Sequence, residues 1–146
     1  MTSTASIAQV AKILAIPMRG RSLSPTEFVA RIEEGLKPEI VARVVKAVTP
    51  NSTELIYLIV PKATLTRRLS KRQRLTADES SRLARAAKTW THALAIWKAP
   101  EAAREFLLRP HPMLDGRRPI EMAITTDVGA DVVDQLLGRL EHGSAA

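Results

Sequence analysis

Apolar residues in this chain recur every three or four positions, and no stretch sustains alternation with period two. That spacing gathers apolar side chains on one face of a helix, so the pattern predicts an all-α protein. Aromatic residues and threonines are too sparse for strands. Ile7, Val10 and Leu14 line one face of a first helix, about 4–16, with Ile13 and Ile16 beside them. Ser24-Pro25-Thr26-Glu27 sets a cap, a first-turn proline and a capping-box glutamate in order. Asn51-Ser52-Thr53-Glu54 and Thr76-Ala77-Asp78-Glu79 repeat the pattern without the proline. Pro38, Pro100 and Pro119 stand where first-turn prolines belong. The later helices are expected at about 25–35, 38–48, 52–60, 62–71, 77–98, 100–108, 119–124 and 129–141. The longest carries Leu83, Trp90, Leu94 and Trp97 down one stripe. The clearest break in the pattern is the loop Arg109–Arg118, which holds prolines and a glycine. The organisation expected is an N-terminal helical extension (1–24), a helix-turn-helix domain (25–98) and a small helical domain (99–146).

The helix-turn-helix reading rests on residues 51–71. Thr53–Val60 is a short apolar helix, Val60-Pro61 a tight break, and Lys62–Lys71 a second short helix. Leu65 and Leu69 share a face and are expected to pack on the first helix, leaving Thr64, Arg67, Arg68, Lys71 and Arg72 to project away. A recognition helix needs this division, with an apolar stripe to hold it and long polar side chains to reach bases and phosphates. Arginine suits the task because its planar fork pairs with guanine or phosphate through two bonds. The expected DNA-contacting residues are Lys62, Thr64, Arg67, Arg68, Lys71, Arg72 and Arg74. The competing reading is a solvated basic face.

Charge sharpens this picture. The 146 residues carry a formal charge of +7. Residues 62–88 hold nine basic and two acidic residues, so the whole excess lies there, with Arg82, Arg85 and Lys88 adding to the set. A basic excess on this scale points to a polyanion. Five aromatic residues offer no stacking platform for RNA. Residues 99–146 carry five basic and eight acidic residues, so the C-terminal third bears −3 and calls for a different partner.

Composition excludes several classes. There is no cysteine, hence no disulfide or thiol chemistry. No apolar run approaches the roughly 18 residues of a membrane span, and no basic segment precedes Ile7–Ile16 as in a signal peptide. A cytoplasmic protein is expected. His92, His111 and His142 are far apart and lack metal-ligand spacing. No phosphate-binding glycine loop, nucleophile elbow or Ser/His/Asp set is visible. Asp131 and Asp134 share a helix face, as carboxylates on solvated faces often do. Neither catalysis, cofactor nor metal is expected.

The C-terminal segment reads Arg-Pro-His-Pro-Met-Leu-Asp-Gly-Arg-Arg-Pro-Ile-Glu over residues 109–121. Arg117 and Arg118 precede a helix start, where positive charge opposes the helix dipole, so something else should need them. Salt bridges to Asp127, Asp131 or Asp134 are the plain alternative to a partner contact. Pro112, Leu114, Gly116-Arg117-Arg118-Pro119 and the ending Gly138-Arg139-Leu140-Glu141-His142-Gly143 resemble the toxin-binding domain of Xre/MbcA/ParS-type antitoxins. Leu65-x-x-Arg68-Leu69, followed by Leu75-Thr76-x-x-Glu79-Ser80-x-Arg82-Leu83, resembles the helix-turn-helix of the same family. The likeness covers about residues 25–143, with two departures. Pro61 stands where a more ordinary turn residue is usual, and His111 where asparagine is common.

The resemblance implies an Xre-like helix-turn-helix followed by a toxin-binding domain. Its DNA partner would be its own promoter, bound as a homodimer. Its protein partner would be a RES-domain toxin with an ADP-ribosyltransferase-like fold, which uses NAD. In that family the antitoxin's C-terminal end lies over the toxin's NAD-binding cleft. Carried over, the toxin-contacting residues are Leu114, Gly116, Arg117, Arg118, Pro119, Arg139, Glu141, His142, Gly143 and Ser144. Glu141, His142 and the tail 143–146 would form the blocking element. The −3 charge of residues 99–146 suits a basic cleft. The N-terminal helix is expected to pack on its own core, with a toxin or dimer contact as the alternative. The competing function is a stand-alone helix-turn-helix regulator with a dimerising C-terminal domain.

Overall fold

A computed structural model of the protein describes residues 4–143. Among these are nine α-helices and one 3-10 turn, with no strand. The order is α1 (Thr4–Ile13), α2 (Pro25–Glu34), α3 (Glu39–Val48), α4 (Ile56–Ile59) and α5 (Lys62–Ser70). Then follow α6 (Ala77–Trp97), α7 (Pro100–Leu108), the 3-10 turn Pro112–Leu114, α8 (Pro119–Thr125) and α9 (Asp127–Glu141).

Helix α6 is the axis of the molecule. It packs against α1, α2, α3 and α4 from the first half of the chain and α7, α8 and α9 from the second. Its buried face reads Leu83, Ala84, Ala86, Ala87, Trp90 and Ala93. The small alanines let neighbouring helices come close, while Leu83 and Trp90 fill the larger gaps. One continuous core results. It joins Val41, Val44 and Ile59 to Leu107, Ile120, Ile124 and Leu137. Helix α1 spends its apolar face here too, since Ile7, Val10, Ala11 and Leu14 are all buried.

The capping sequences act as their residue types dictate at two of three places. Ser24 accepts from the Glu27 N–H and Glu27 accepts from the Ser24 N–H, closing a full capping box on α2. Thr76 and Glu79 do the same for α6. At the third place the expectation fails. The helix expected at about 52–60 shrinks to Ile56–Ile59. The bonds of Ile56, Tyr57 and Leu58 reach back only three residues, to Thr53, Glu54 and Leu55. Glu54 leaves its capping role and pairs with Arg118. Helix α9 begins two residues earlier than its apolar periodicity suggests, because the Thr126 hydroxyl caps the Gly129 N–H at 2.8 Å. Gly129 is a packing requirement. A Cβ there would collide with the Met122 carbonyl oxygen of α8.

Since one core serves both halves, truncating either should weaken the whole. Leu83→Ala in α6 and Leu137→Ala in α9 each remove a fully buried side chain. Each should cost roughly 2–5 kcal/mol. In chemical denaturation followed by circular dichroism, both should shift the same single transition.

Candidate functional site

Helix α5 has no fully buried residue. Leu65 packs on the core, but Leu69 is exposed, contrary to the expected two-leucine stripe. Its pose comes instead from an ion pair. Arg68 Nε donates to Glu79 Oε1 at 2.8 Å and a terminal nitrogen donates to Oε2 at 3.1 Å. The pair is largely shielded, with side-chain exposures of 15% and 8%. Glu79 is also the capping-box residue of α6, so the same oxygen accepts from the Thr76 N–H at 2.8 Å. One carboxylate thus fixes α5, the turn after it and the start of the next helix. Burial alone would raise this carboxyl, but the bonds from Arg68 and Thr76 outweigh it and hold the group below the ordinary glutamate value. Arg68 is correspondingly held above its ordinary value, chiefly by its bond to Glu79.

This changes the account of the basic segment. Arg68 is committed to Glu79, and Arg74 donates to the Gly35 carbonyl at 3.0 Å. Both were expected to face DNA, and of the two Arg74 stays exposed. Arg82 donates to the Ile59 carbonyl at the end of α4, at 2.8 Å. Arg85 donates to the carbonyls of Ala123 (3.0 Å) and Ile124 (2.6 Å) at the end of α8. It also pairs with Asp127 at 2.8 Å. Arg104 repeats the device on α3, reaching the Ala47 carbonyl at 3.0 Å while lying over the Trp90 ring. The last carbonyls of a helix lack intrahelical donors and carry partial negative charge, so a guanidinium satisfies both needs. Four of the nine cations of residues 62–88 therefore serve the fold. Lys62, Arg67, Lys71 and Arg72 stay exposed on and beside α5, with Thr64 half-buried. Thr64, Arg67 and Lys71 lie three and four residues apart, on one stripe.

The second candidate region is the turn 111–117. His111 N–H donates to Arg117 O at 3.1 Å, and both Leu114 and Gly116 N–H return to His111 O at 3.0 Å. His111 Nδ1 accepts from the Met113 N–H at 3.1 Å. The ring thus supplies a capping acceptor, and it meets Phe106 edge-on with ring centroids 5.6 Å apart. Asp115 and Gly116 both adopt positive φ, of 55° and 79°. Leu114 and Pro119 are buried and hold the turn from below. Arg118 bonds Glu121 and also Glu54 at 2.8 Å, tying α8 to the turn before α4. None of Asp127, Asp131 and Asp134 is its partner. The bond to Glu121 and then that to Glu54 raise Arg118 above its ordinary value, and Glu121 is lowered by the same contact. The residues this turn presents are Met113, at 65% exposure, with Asp115, Gly116 and Arg117. Sequence reasoning missed Met113 and Asp115. The flanking prolines were the only signal for them.

The third region is the end of α9. Glu141, His142 and Gly143 are exposed, as is Arg139, which is engaged in an interaction of its own. Ser144 and the rest of the tail lie outside the described residues. Glu141 Oε1 stands 3.1 Å from His92 Nε2, and Asp134 Oδ1 stands 2.9 Å from His92 Nδ1. Among the described residues no cluster of histidines and carboxylates fits a metal ion, and no helix is long and apolar enough to cross a membrane.

The architecture is that of a helix-turn-helix protein with an appended helical unit. Comparison with known proteins gives both parts a family. Residues 27–88 match the antitoxin Xre-like helix-turn-helix domain. Residues 92–143 match the antitoxin Xre/MbcA/ParS C-terminal toxin-binding domain. An antitoxin Xre of Photorhabdus laumondii is 31% identical over 116 residues, covering 78% of each chain. One of Yersinia enterocolitica is 30% identical over 120 residues, 81% of this chain and 80% of that one. One of Pseudomonas putida is 34% identical over 85 residues, 58% of this chain and 53% of that one. The chain spans about half the length of this last relative. The chain belongs to the Xre/MbcA/ParS family of antitoxins, with a helix-turn-helix and a toxin-binding domain. Proteins of this family act by binding, not by catalysis.

The Glu79 geometry makes an acid-sensitivity test. Its carboxyl is lowered in the folded state, so its contribution is complete above the ordinary glutamate value and fades as pH falls below about 4. Glu79→Gln keeps the cap acceptor but removes the charge. Denaturant titrations should show it less stable than the parent at pH 7, with the difference narrowing as pH falls below about 4.

Proposed function

We propose that this antitoxin neutralises a RES-domain, ADP-ribosyltransferase-like toxin by laying its C-terminal end over the toxin's NAD-binding cleft. It represses its own operon through the exposed face of α5, as a homodimer within the toxin–antitoxin complex, in the cytoplasm. The observation that carries the reading is the separation of two exposed surfaces on one core. The α5 surface presents Lys62, Arg67, Lys71 and Arg72. The C-terminal surface presents Met113, Asp115 and Arg117 on a rigid turn, with Glu141, His142 and Gly143 at the end of α9. The acidic balance of residues 99–146 supports a basic cleft as the target of the second surface.

The DNA-contacting set we favour is Lys62, Thr64, Arg67, Lys71, Arg72 and Arg74, without Arg68, which is held by Glu79. The toxin-contacting set is widened to include Met113 and Asp115. Leu114, Pro119 and Arg118 support the turn from within.

Co-expression with the product of the adjacent gene tests the toxin half. A stable complex and rescue of growth are expected, and a chain ending at Leu140 should lose the rescue while keeping its fold. Unchanged rescue by that chain would refute the blocking element. Gel shifts on the upstream promoter test the DNA half. Arg67→Ala with Lys71→Ala should weaken binding and lower the salt-dependence slope by about one per residue. Arg68→Ala should lower thermal stability as well, which sets it apart from the other two. Binding indifferent to salt and to the double substitution would overturn repression through α5 and favour a module without DNA contact.

A further inference from the structure

The one histidine that bridges two helices has no part in either surface described above. His92 lies on α6 and is 23% exposed, and each ring nitrogen faces a carboxylate of α9. Nδ1 is 2.9 Å from Asp134 and Nε2 is 3.1 Å from Glu141. The two acids are seven residues apart, two turns along one face of α9. A neutral imidazole carries a single N–H, so it donates to one acid and turns a lone pair toward the other. Only the imidazolium donates to both.

The apolar hold on α9 weakens toward its end. Leu136 and Leu137 are buried and Leu140 only partly, while Arg139, Glu141 and His142 are exposed. Helix ends fray unless something ties them down. Here the tie is polar, and it is complete in only one protonation state of the ring.

We propose that His92 is a positioning residue, a proton-dependent clasp that holds the last turn of α9 in the pose from which the chain end meets the toxin. The inference rests on the reading that this end contacts the toxin. Asp134 and Glu141 are the charged groups that α9 turns toward the ring. His142 stands 3.9 Å from Glu141, and Lys88 lies one turn earlier on α6. Farther along the same seam, Asp127 is occupied by Arg85.

The test is amide hydrogen exchange of residues 138–143 in the free full-length protein at pH 5.5 and 7.5, corrected for intrinsic exchange. It is paired with toxin affinity at the same two values. The two values bracket the ordinary imidazole value of about 6.5. The wild type should be protected several-fold more at pH 5.5. His92→Gln, whose amide presents one NH2 group and does not titrate, should show equal protection at both. His142→Gln should keep the wild-type response, since that ring is not the bridge. Toxin affinity should follow protection in the wild type and be level across pH in His92→Gln. Equal protection of the wild type at both pH values, or an unchanged response in His92→Gln, would overturn the clasp. A pH-dependent protection that leaves affinity unmoved, with a chain ending at Leu140 still capturing the toxin, would overturn the toxin reading instead and with it the positioning role.

Discussion

The pose of helix α5 depends on one carboxylate. Helix α5 is nine residues long, has no fully buried residue and packs on the core through Leu65, so hydrophobic packing alone orients it weakly. Glu79 supplies the rest. It receives the Arg68 guanidinium from α5 and the Thr76 N–H from the turn, while standing in the first turn of α6. Helix α6 is in turn packed against most of the molecule. A partly buried ion pair of this kind is weak evidence for net stability but a strong constraint on geometry, because leaving either partner alone is costly. The polar anchor thus leaves the rest of α5 free to carry side chains chosen for contact.

The same logic explains the concentration of arginine. Most helices of the chain are of ten residues or fewer, and each ends in carbonyls without intrahelical partners. Arg74, Arg82, Arg85 and Arg104 cross from one element to another and satisfy them. Net charge therefore overstates the surface offered to a polyanion. A +7 chain keeps only part of its basic segment exposed on and beside α5, at Lys62, Arg67, Lys71, Arg72 and Arg74.

Most of the fold was legible in the sequence, since local rules set it. Two capping boxes and the 3.6-residue period placed α2, α3, α6 and α7 to within a residue or two. The candidate surfaces were less legible, for a physical reason visible at Arg68. On a helical wheel it borders both the Thr64–Arg67–Lys71 stripe and the Leu65–Leu69 stripe. Its direction is decided by Glu79, eleven residues away, whose capping role was readable but whose second partner was not. Likewise Leu114, Pro119 and Arg118 belong to a recognisable motif, yet they face inward or pair internally. A motif marks the turn, and only packing shows which of its residues face outward. The turn's His111 is held in place by its own Nδ1, which accepts from the Met113 N–H.

The central claim is that one rigid core displays two separate binding surfaces, one for DNA and one for toxin. Hydrogen–deuterium exchange of the full chain, alone, with its promoter fragment and with the toxin, tests it most directly. The account predicts two footprints that do not overlap. DNA should protect residues 62–72, and toxin should protect 111–117 together with 138–143. Toxin protection falling on 62–72 while 138–143 exchange freely, or promoter DNA protecting nothing on α5, would contradict it.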